Sequence, residues 1–164
     1  MNSRQMGKHS MRFIAIFAAA AVLGACSQNP DPAQVQADVT KAQADAHKTV
    51  TDAQANLAKV QAENNKNVVT TQADAQLAAA KNNSSNADAS SDVHDAQQDA
   101  ADKAADARYD LAIAKAQAAE RVAQAKCESE TGSAKDACST AAKSEYDAAV
   151  AQAKSQNEAD HHRN

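Results

Sequence analysis

Apolar residues recur every three or four positions along two long segments of the chain. The first segment covers residues 35–75, with polar interruptions at Asn64 and Thr71, and the second covers residues 89–125. Steps of three and four place side chains on one face of an α-helix, because the helix has 3.6 residues per turn. The pattern therefore predicts two long amphipathic helices and an all-α fold.

Both segments also repeat at every eleventh position. The repeating positions are Val35, Ala46, Leu57 and Val68 in the first segment and Ala89, Ala100, Leu111 and Val122 in the second. A repeat of this length has about 3.67 residues per turn, so each apolar stripe stays close to one line along its helix. Such helices can pack against each other, form a coiled coil or recruit further copies of the chain; two independent, partly frayed helices are the alternative. We expect an elongated molecule of long alanine-rich helices.

Residues that cap or interrupt helices divide the chain. Asp31 and Pro32 form a favourable helix start, because Asp is a preferred N-cap residue and proline fits the first helical turn. The small polar residues of the segment 82–92 favour a hinge, and Ser90 or Ser91 would cap the next helix. The predicted order is a tether at 26–32, a helix at 33–81, the hinge at 82–91, a second helix at 92–131, a third helix at 133–157 and a tail at 158–164.

The composition favours helices over a walled pocket. Hydrophobic residues make up 43% of the 164 residues, but aromatic residues make up only 2%, and tryptophan is absent. About a quarter of the residues are alanine, which is the strongest helix former and buries little apolar area. Small-molecule sites need walls of aromatic and branched apolar side chains. We therefore expect no catalysis, no cofactor and no small-molecule substrate.

The beginning of the chain has the features of an export signal. Three basic residues and no acidic residue precede an apolar run over residues 13–23, which is too short to span a bilayer. The following residues resemble the lipobox of bacterial lipoproteins: Leu23, Gly24, Ala25 and Cys26. The resemblance implies that residues 1–25 are a signal peptide and that Cys26 carries acyl chains. An ordinary secretory peptide with a chance cysteine and an uncleaved anchor are the alternatives.

Lipidation of Cys26 would attach the mature chain to a membrane, because two or more acyl chains anchor a protein stably. By resemblance to enteric-type lipoproteins, Ser27 rather than Asp after the cysteine implies the outer membrane, with the chain facing the periplasm. Removal of residues 1–25 also removes three basic residues and leaves the chain more acidic than its formal net charge of −4. Nucleic acid is therefore an unfavourable partner.

Two further cysteines, Cys127 and Cys138, form an even pair once Cys26 is lipidated, in a compartment that favours disulfides. On one continuous helix they would lie about 16 Å apart, which is too far for a disulfide. A helix break at residues 131–133, with Ser133 as the next N-cap, would place them on facing helices. We predict a disulfide-stapled αα-hairpin, with a redox-active pair as the alternative. A metal site is not expected, because no histidine lies at ligand spacing from either cysteine.

Aspartates recur beside the second apolar stripe at steps of three and four. The central members are Asp92, Asp95, Asp99, Asp102 and Asp106. Such a face can bind cations or a basic partner; a solvated face near a helix N-terminus, where negative charge is favoured, is the alternative. His161 and His162 lie in the predicted tail, where we expect a frayed end.

Two further resemblances concern the mature chain. Residues 105–155 resemble small, poorly characterised proteobacterial envelope proteins, through a Tyr-Asp-x-Ala segment at Tyr109 and a Gly-x-Ala-Lys-Asp-Ala-Cys segment ending at Cys138. This implies a helical module facing the periplasm, without a transferable activity. A lipidated cysteine before a long alanine-rich helix is similar to the plan of the murein lipoproteins, but this chain ends in His-His-Arg-Asn where that family has the lysine joined to peptidoglycan.

We therefore expect a lipid-anchored structural or scaffold lipoprotein of the cell envelope, held in the membrane through Cys26. The alternatives are a binding or adaptor module that docks an envelope protein or the peptidoglycan, and an envelope stress-protection protein. A homo-oligomer is a further expected form of partnership.

Overall fold

The computed structural model describes residues 30–81 and 86–163 and is all-α over that part of the chain, as predicted. Its helices are α1 at Pro32–Lys81, α2 at Asn86–Cys127 and α3 at Gly132–His161. At 1.5 Å per residue, the 50 residues of α1 extend about 75 Å.

The start of α1 confirms the predicted cap. The backbone N–H of Ala33 donates to Oδ1 of Asp31 over 2.9 Å, and the N–H of Val35 donates to the Asp31 carbonyl oxygen over 3.0 Å. Pro32 occupies the first helical position, where its missing N–H would have had no helical partner. The cap fixes where the helix begins.

α2 begins earlier than predicted. The hinge was expected over 82–91, but the chain is helical from Asn86 onward. Ser90 and Ser91 lie exposed inside the first turns of α2 and do not cap it. Serine costs only a fraction of a kcal/mol in a helix relative to alanine, and Asp88 places negative charge in the first turn, where the helix dipole favours it.

The turn between α2 and α3 also differs from the prediction. α2 ends at Cys127 rather than at residue 131, and the N-cap of α3 is Thr131 rather than Ser133. Thr131 has extended backbone angles and makes no side-chain capping bond. Gly132 has a φ of 55°, a left-handed conformation that glycine adopts without steric cost. This glycine reverses the chain before the point at which Ser133 could cap it.

α1 and α2 pack antiparallel through the two predicted stripes. Every predicted stripe position is buried or only partly exposed, and the most buried include Ala46 on α1 and Ala118 on α2. The polar interruption Asn64 is itself buried at 8% exposure, and its Nδ2 donates to the carbonyl oxygen of Ala100 over 2.7 Å. The stripes are confirmed as a helix–helix seam, whereas the elongated coiled coil is not confirmed.

A second face of α2 packs against α3. Its buried members recur at every eleventh position, at Ala105, Ala116 and Cys127. Ala105 shares a cleft with Ala153 of α3, Ala116 shares one with Ala142, and Cys127 is bonded to Cys138. Between the described parts of α1 and α3, no two Cα atoms come within 8 Å. α2 is therefore the central layer, with α1 on one face and α3 on another.

Candidate functional site

The aspartate row on α2 divides into a part engaged within the chain and an open part. Asp99 pairs with Lys103, one turn along the same helix, at 2.6 Å. Asp102 and Asp106 meet the end of α3. Asp92 and Asp95 face the groove between α1 and α2. The sequence predicts one continuous acidic face, whereas in the structure the end of α3 occupies the part of that face that contains Asp102 and Asp106.

His161 bridges the two engaged carboxylates. Its Nδ1 lies 3.1 Å from Oδ1 of Asp102, and its Nε2 lies 3.0 Å from Oδ1 of Asp106. A neutral imidazole carries one N–H and can donate to only one of them, whereas the imidazolium donates to both. The geometry therefore selects the protonated ring.

The charge state of His161 follows from this arrangement. The hydrogen bond to Asp106 raises its pKa above the usual 6.5, Asp102 adds to the increase, and desolvation partly opposes it. Both ring nitrogens face carboxylates of α2, so the protonated ring joins α3 to α2. The cation and the two anions hold the end of α3 in place.

Neighbouring contacts hold the same end of α3. Arg108 of α2 pairs with Asp160 at 3.4 Å, and Nδ2 of Asn157 donates to Oδ1 of Asp106 over 3.4 Å. Oδ1 of Asn157 is buried and has no hydrogen-bond partner among the described residues. The expectation of a frayed tail from residue 158 is wrong, because α3 continues to His161, where α2 supplies oppositely charged partners.

The open part of the row lines a groove near the α1–α2 connection. Asp88, Asp92 and Asp95 of α2 and Asp74 of α1 surround a volume of about 560 Å³, with small apolar side chains at its base. Within the described chain, no lysine or arginine forms a salt bridge with these four carboxylates. The groove is wide and negatively charged, which suits a basic partner better than a small molecule.

The predicted disulfide joins α2 to α3. Cys127 and Cys138 are bonded, with their Cα atoms 5.6 Å apart, and Cys127 is 1% exposed. Across the turn, Nζ of Lys135 lies 2.7 Å from a carboxylate oxygen of Glu128. The expected αα-hairpin is present, but the chain reverses between Cys127 and Gly132, so the break begins earlier than the predicted residues 131–133.

Leu23, Gly24, Ala25 and Cys26 lie outside the described residues. Over residues 30–81 and 86–163, no helix has the length and apolar character needed to cross a membrane. The same part of the chain contains no group of three or more His, Cys, Asp or Glu side chains arranged to hold a metal ion. No known protein family, curated protein or solved structure matches this chain.

Sequence reasoning missed the α3-facing stripe of α2 and the role of His161. The first had a signal, because Ala105, Ala116 and Cys127 share the same repeat as the predicted stripe. The role of His161 had no such signal, because His161 lies 59 and 55 residues from its two partners, and a local sequence pattern does not relate residues so far apart.

Proposed function

We propose that this chain is a lipid-anchored helical scaffold protein of the bacterial cell envelope, with Cys26 as its first mature residue. The observation that carries the proposal is the cysteine pairing. The disulfide uses Cys127 and Cys138, two of the three cysteines. Cys26 is the remaining cysteine, and it directly follows the lipobox-like Leu23, Gly24 and Ala25.

The distance from the proposed anchor to the first helix supports a membrane-attached role. Pro32 lies six residues after Cys26, and an extended chain covers at most roughly 3.6 Å per residue. α1 would therefore begin within roughly 20 Å of the lipid attachment point. Long helices and open, aspartate-lined grooves suit a spacer or docking surface more than a reaction centre.

The test is the intact mass of the full chain extracted from bacterial membranes. We expect a mass that lacks residues 1–25, includes added acyl groups and is two hydrogens below the fully reduced form. A mass that retains residues 1–25, or that lacks acyl groups, would overturn the proposal.

A Cys26→Ser variant is the matched control, because it removes the lipid attachment point and leaves the disulfide cysteines in place. We expect this variant to lose the acyl mass and to keep the disulfide. Equal acyl mass on the variant and the unaltered chain would argue against lipid attachment at Cys26.

The open groove favours a second candidate function, an adaptor that docks a basic partner. Asp92 and Asp95 can be tested together by substitution with asparagine, with Asp136→Asn on the exposed side of α3 as a control. We expect a lysine-rich peptide to bind the unaltered chain and the control more tightly than the double variant. Equal binding by all three proteins would remove the groove from consideration.

A further inference from the structure

The outward face of α1 carries a second apolar stripe that neither α2 nor α3 covers. Val69 and Leu77, at 63% and 53% exposure, are the exposed large hydrophobic residues of the described chain. They belong to a row of exposed positions separated by three, four or seven residues, which we call the outer stripe. Its central members are Ala55, Ala58, Ala62, Val69, Ala73 and Leu77, and the exposed Lys66 interrupts the row between Ala62 and Val69.

The outer stripe lies on the side of α1 opposite α2. Ala55 precedes the inward-facing Leu57 by two residues, and two residues turn a helix by about 200°. The same relation links Ala44 to the buried Ala46. α3 does not reach α1. α2 thus has two small-residue faces that are both covered by helices, whereas α1 has two such faces and only one is covered by another helix of the described residues.

One edge of the outer stripe carries an alternating row of charges. Lys48 pairs with Asp52 at 2.6 Å, and Lys59 pairs with Glu63 at 3.8 Å, each across one helical turn. The second pair is offset from the first by one full repeat of the stripe, so both pairs lie on the same edge of the helix. All four side chains are largely exposed. They can accept a second partner without losing the first.

We propose that a second copy of this chain covers the outer stripe, with the two α1 helices antiparallel about a two-fold axis between Ala55 and Asn56. A two-fold axis of this kind brings the same edge of each helix together. The inference stands independently of the lipid anchor, because it rests only on residues of α1.

Charge complementarity identifies the second copy as the occupant. In this register, Lys48 lies opposite the second copy's Glu63, and Asp52 lies opposite its Lys59. The two-fold axis repeats both pairings, so each of these four charged side chains faces one of opposite sign. Opposite charges across an interface fix its register and disfavour wrong partners.

The apolar side chains also fit in this register. Val69 would lie between Thr40 and Ala44 of the second copy, and Leu77 would lie beside its Ala33. The small side chains at these positions leave room for the larger ones, which removes the most exposed apolar surface of α1 from water.

A parallel pair would lose the charge complementarity. Its two-fold axis runs along the helices and brings opposite edges of the stripe together. The other edge of the outer stripe carries amides with the same repeat, at Gln43, Gln54, Asn65 and Gln76. Lysines and carboxylates would then face amides, so the antiparallel pair is the specific arrangement.

The first test is sedimentation of the full chain in mild detergent, which keeps the apolar N-terminal run from associating. We expect a dimer. The double substitution Val69→Glu and Leu77→Glu should raise its dissociation constant at least about tenfold, because the new carboxylates would be buried without partners. Ala151→Glu, at an exposed position of α3, is the control and should leave the dimer intact. Helicity measured by circular dichroism should be the same in all three proteins.

The second test addresses the register by exchanging all four edge charges: Lys48→Glu, Asp52→Lys, Lys59→Glu and Glu63→Lys. This exchange keeps every pair within the helix and every facing pair between identical chains. The exchanged chain should dimerise as well as the original, whereas mixtures of the two should form few mixed dimers by native mass spectrometry. A monomeric original chain, a dimer insensitive to the Val69 and Leu77 substitutions, or mixed dimers at the statistical frequency would each overturn the proposal.

Discussion

Replacing Cys127 and Cys138 by serine is expected to loosen α3 from α2. The disulfide closes a loop whose ends are 11 residues apart, and the chain-entropy relation assigns such a loop about 3 kcal/mol at 25 °C. The rest of the α2–α3 seam consists mainly of alanines and exposed ion pairs, which contribute little each. A loss of about 3 kcal/mol is large for a domain whose whole stability is typically about 5–15 kcal/mol.

The two tyrosines allow the loss of stability to be measured at the α2–α3 seam itself. Tyr109 and Tyr146 are the only tyrosines, and tryptophan is absent. Both line the seam between α2 and α3 and are partly buried there. Tyrosine fluorescence therefore reports α3 docking, whereas circular dichroism at 222 nm is dominated by the longer α1 and α2.

The assay is urea unfolding followed by both signals. With a typical urea slope of about 1–3 kcal/mol per molar, the tyrosine midpoint should fall by about 1–3 M in the double serine variant. It should also precede the circular dichroism transition, because α3 separates first. Cys26→Ser is the control and should change neither midpoint. A loss below about 1 kcal/mol, or coincident transitions from the two signals, would refute the reasoning.

Substitutions at three further positions probe single contacts. His161→Ala should abolish a pH dependence of α3 docking. Because the folded state raises the pKa of His161, the stabilising contribution of this residue is complete below the unfolded pKa of 6.5 and is lost as the pH rises through the folded-state pKa. Tyrosine-detected unfolding should reveal this loss as the pH is raised from about 6 upward. Asn64→Ala should lower the free energy of unfolding by about 1–2 kcal/mol, whereas Asn64→Leu should stay within about 1 kcal/mol of the original in urea titrations, because an apolar side chain suits the seam. Asp31→Ala should cost about 1 kcal/mol in the same titration, and Asp31→Asn should retain the cap.

For each of these positions, one experimental result would contradict the prediction. A pH dependence that survives in His161→Ala would place the titrating group elsewhere, whereas the control His47→Ala, at an exposed position of α1, should keep it. Equal losses in the two Asn64 variants would mean that the amide is needed for more than one hydrogen bond. Equal losses in the two Asp31 variants would show that the side-chain oxygen does not act as a cap.

The first two helices could be predicted because their signals are local. The apolar stripe before Asn64 and the Asp31 cap depend on residues within a few turns of each other, and both are present in the structure. The hinge was predicted too long because Ser90 and Ser91 are compatible with a helix as well as with a cap. In an alanine-rich helix, several faces appear apolar, so the repeat shared by Ala105, Ala116 and Cys127 was present in the sequence but did not by itself show which face contacts α3.

The candidate site was predictable in composition but not in arrangement. The aspartates of α2 are evident from their spacing, but which of them are engaged depends on where α3 ends. Asp102 and Asp106 receive His161 because a 30-residue helix runs back along α2 from the turn at Gly132. That relation joins residues more than 50 positions apart, which no local periodicity reports.

The uninterrupted length of α1 sets a distance between attachment points. In the proposed antiparallel pair, the two copies of Pro32 lie at opposite ends of the shared helix contact, about 70 Å apart. The two copies of Cys26, if acylated as proposed, would then enter lipid at widely separated positions. A dimer attached to one bilayer would lie flat along its surface, whereas a dimer attached to two bilayers would hold them at a defined separation. Clustering of lipid vesicles, as opposed to coating of single vesicles, would distinguish the second geometry by electron microscopy.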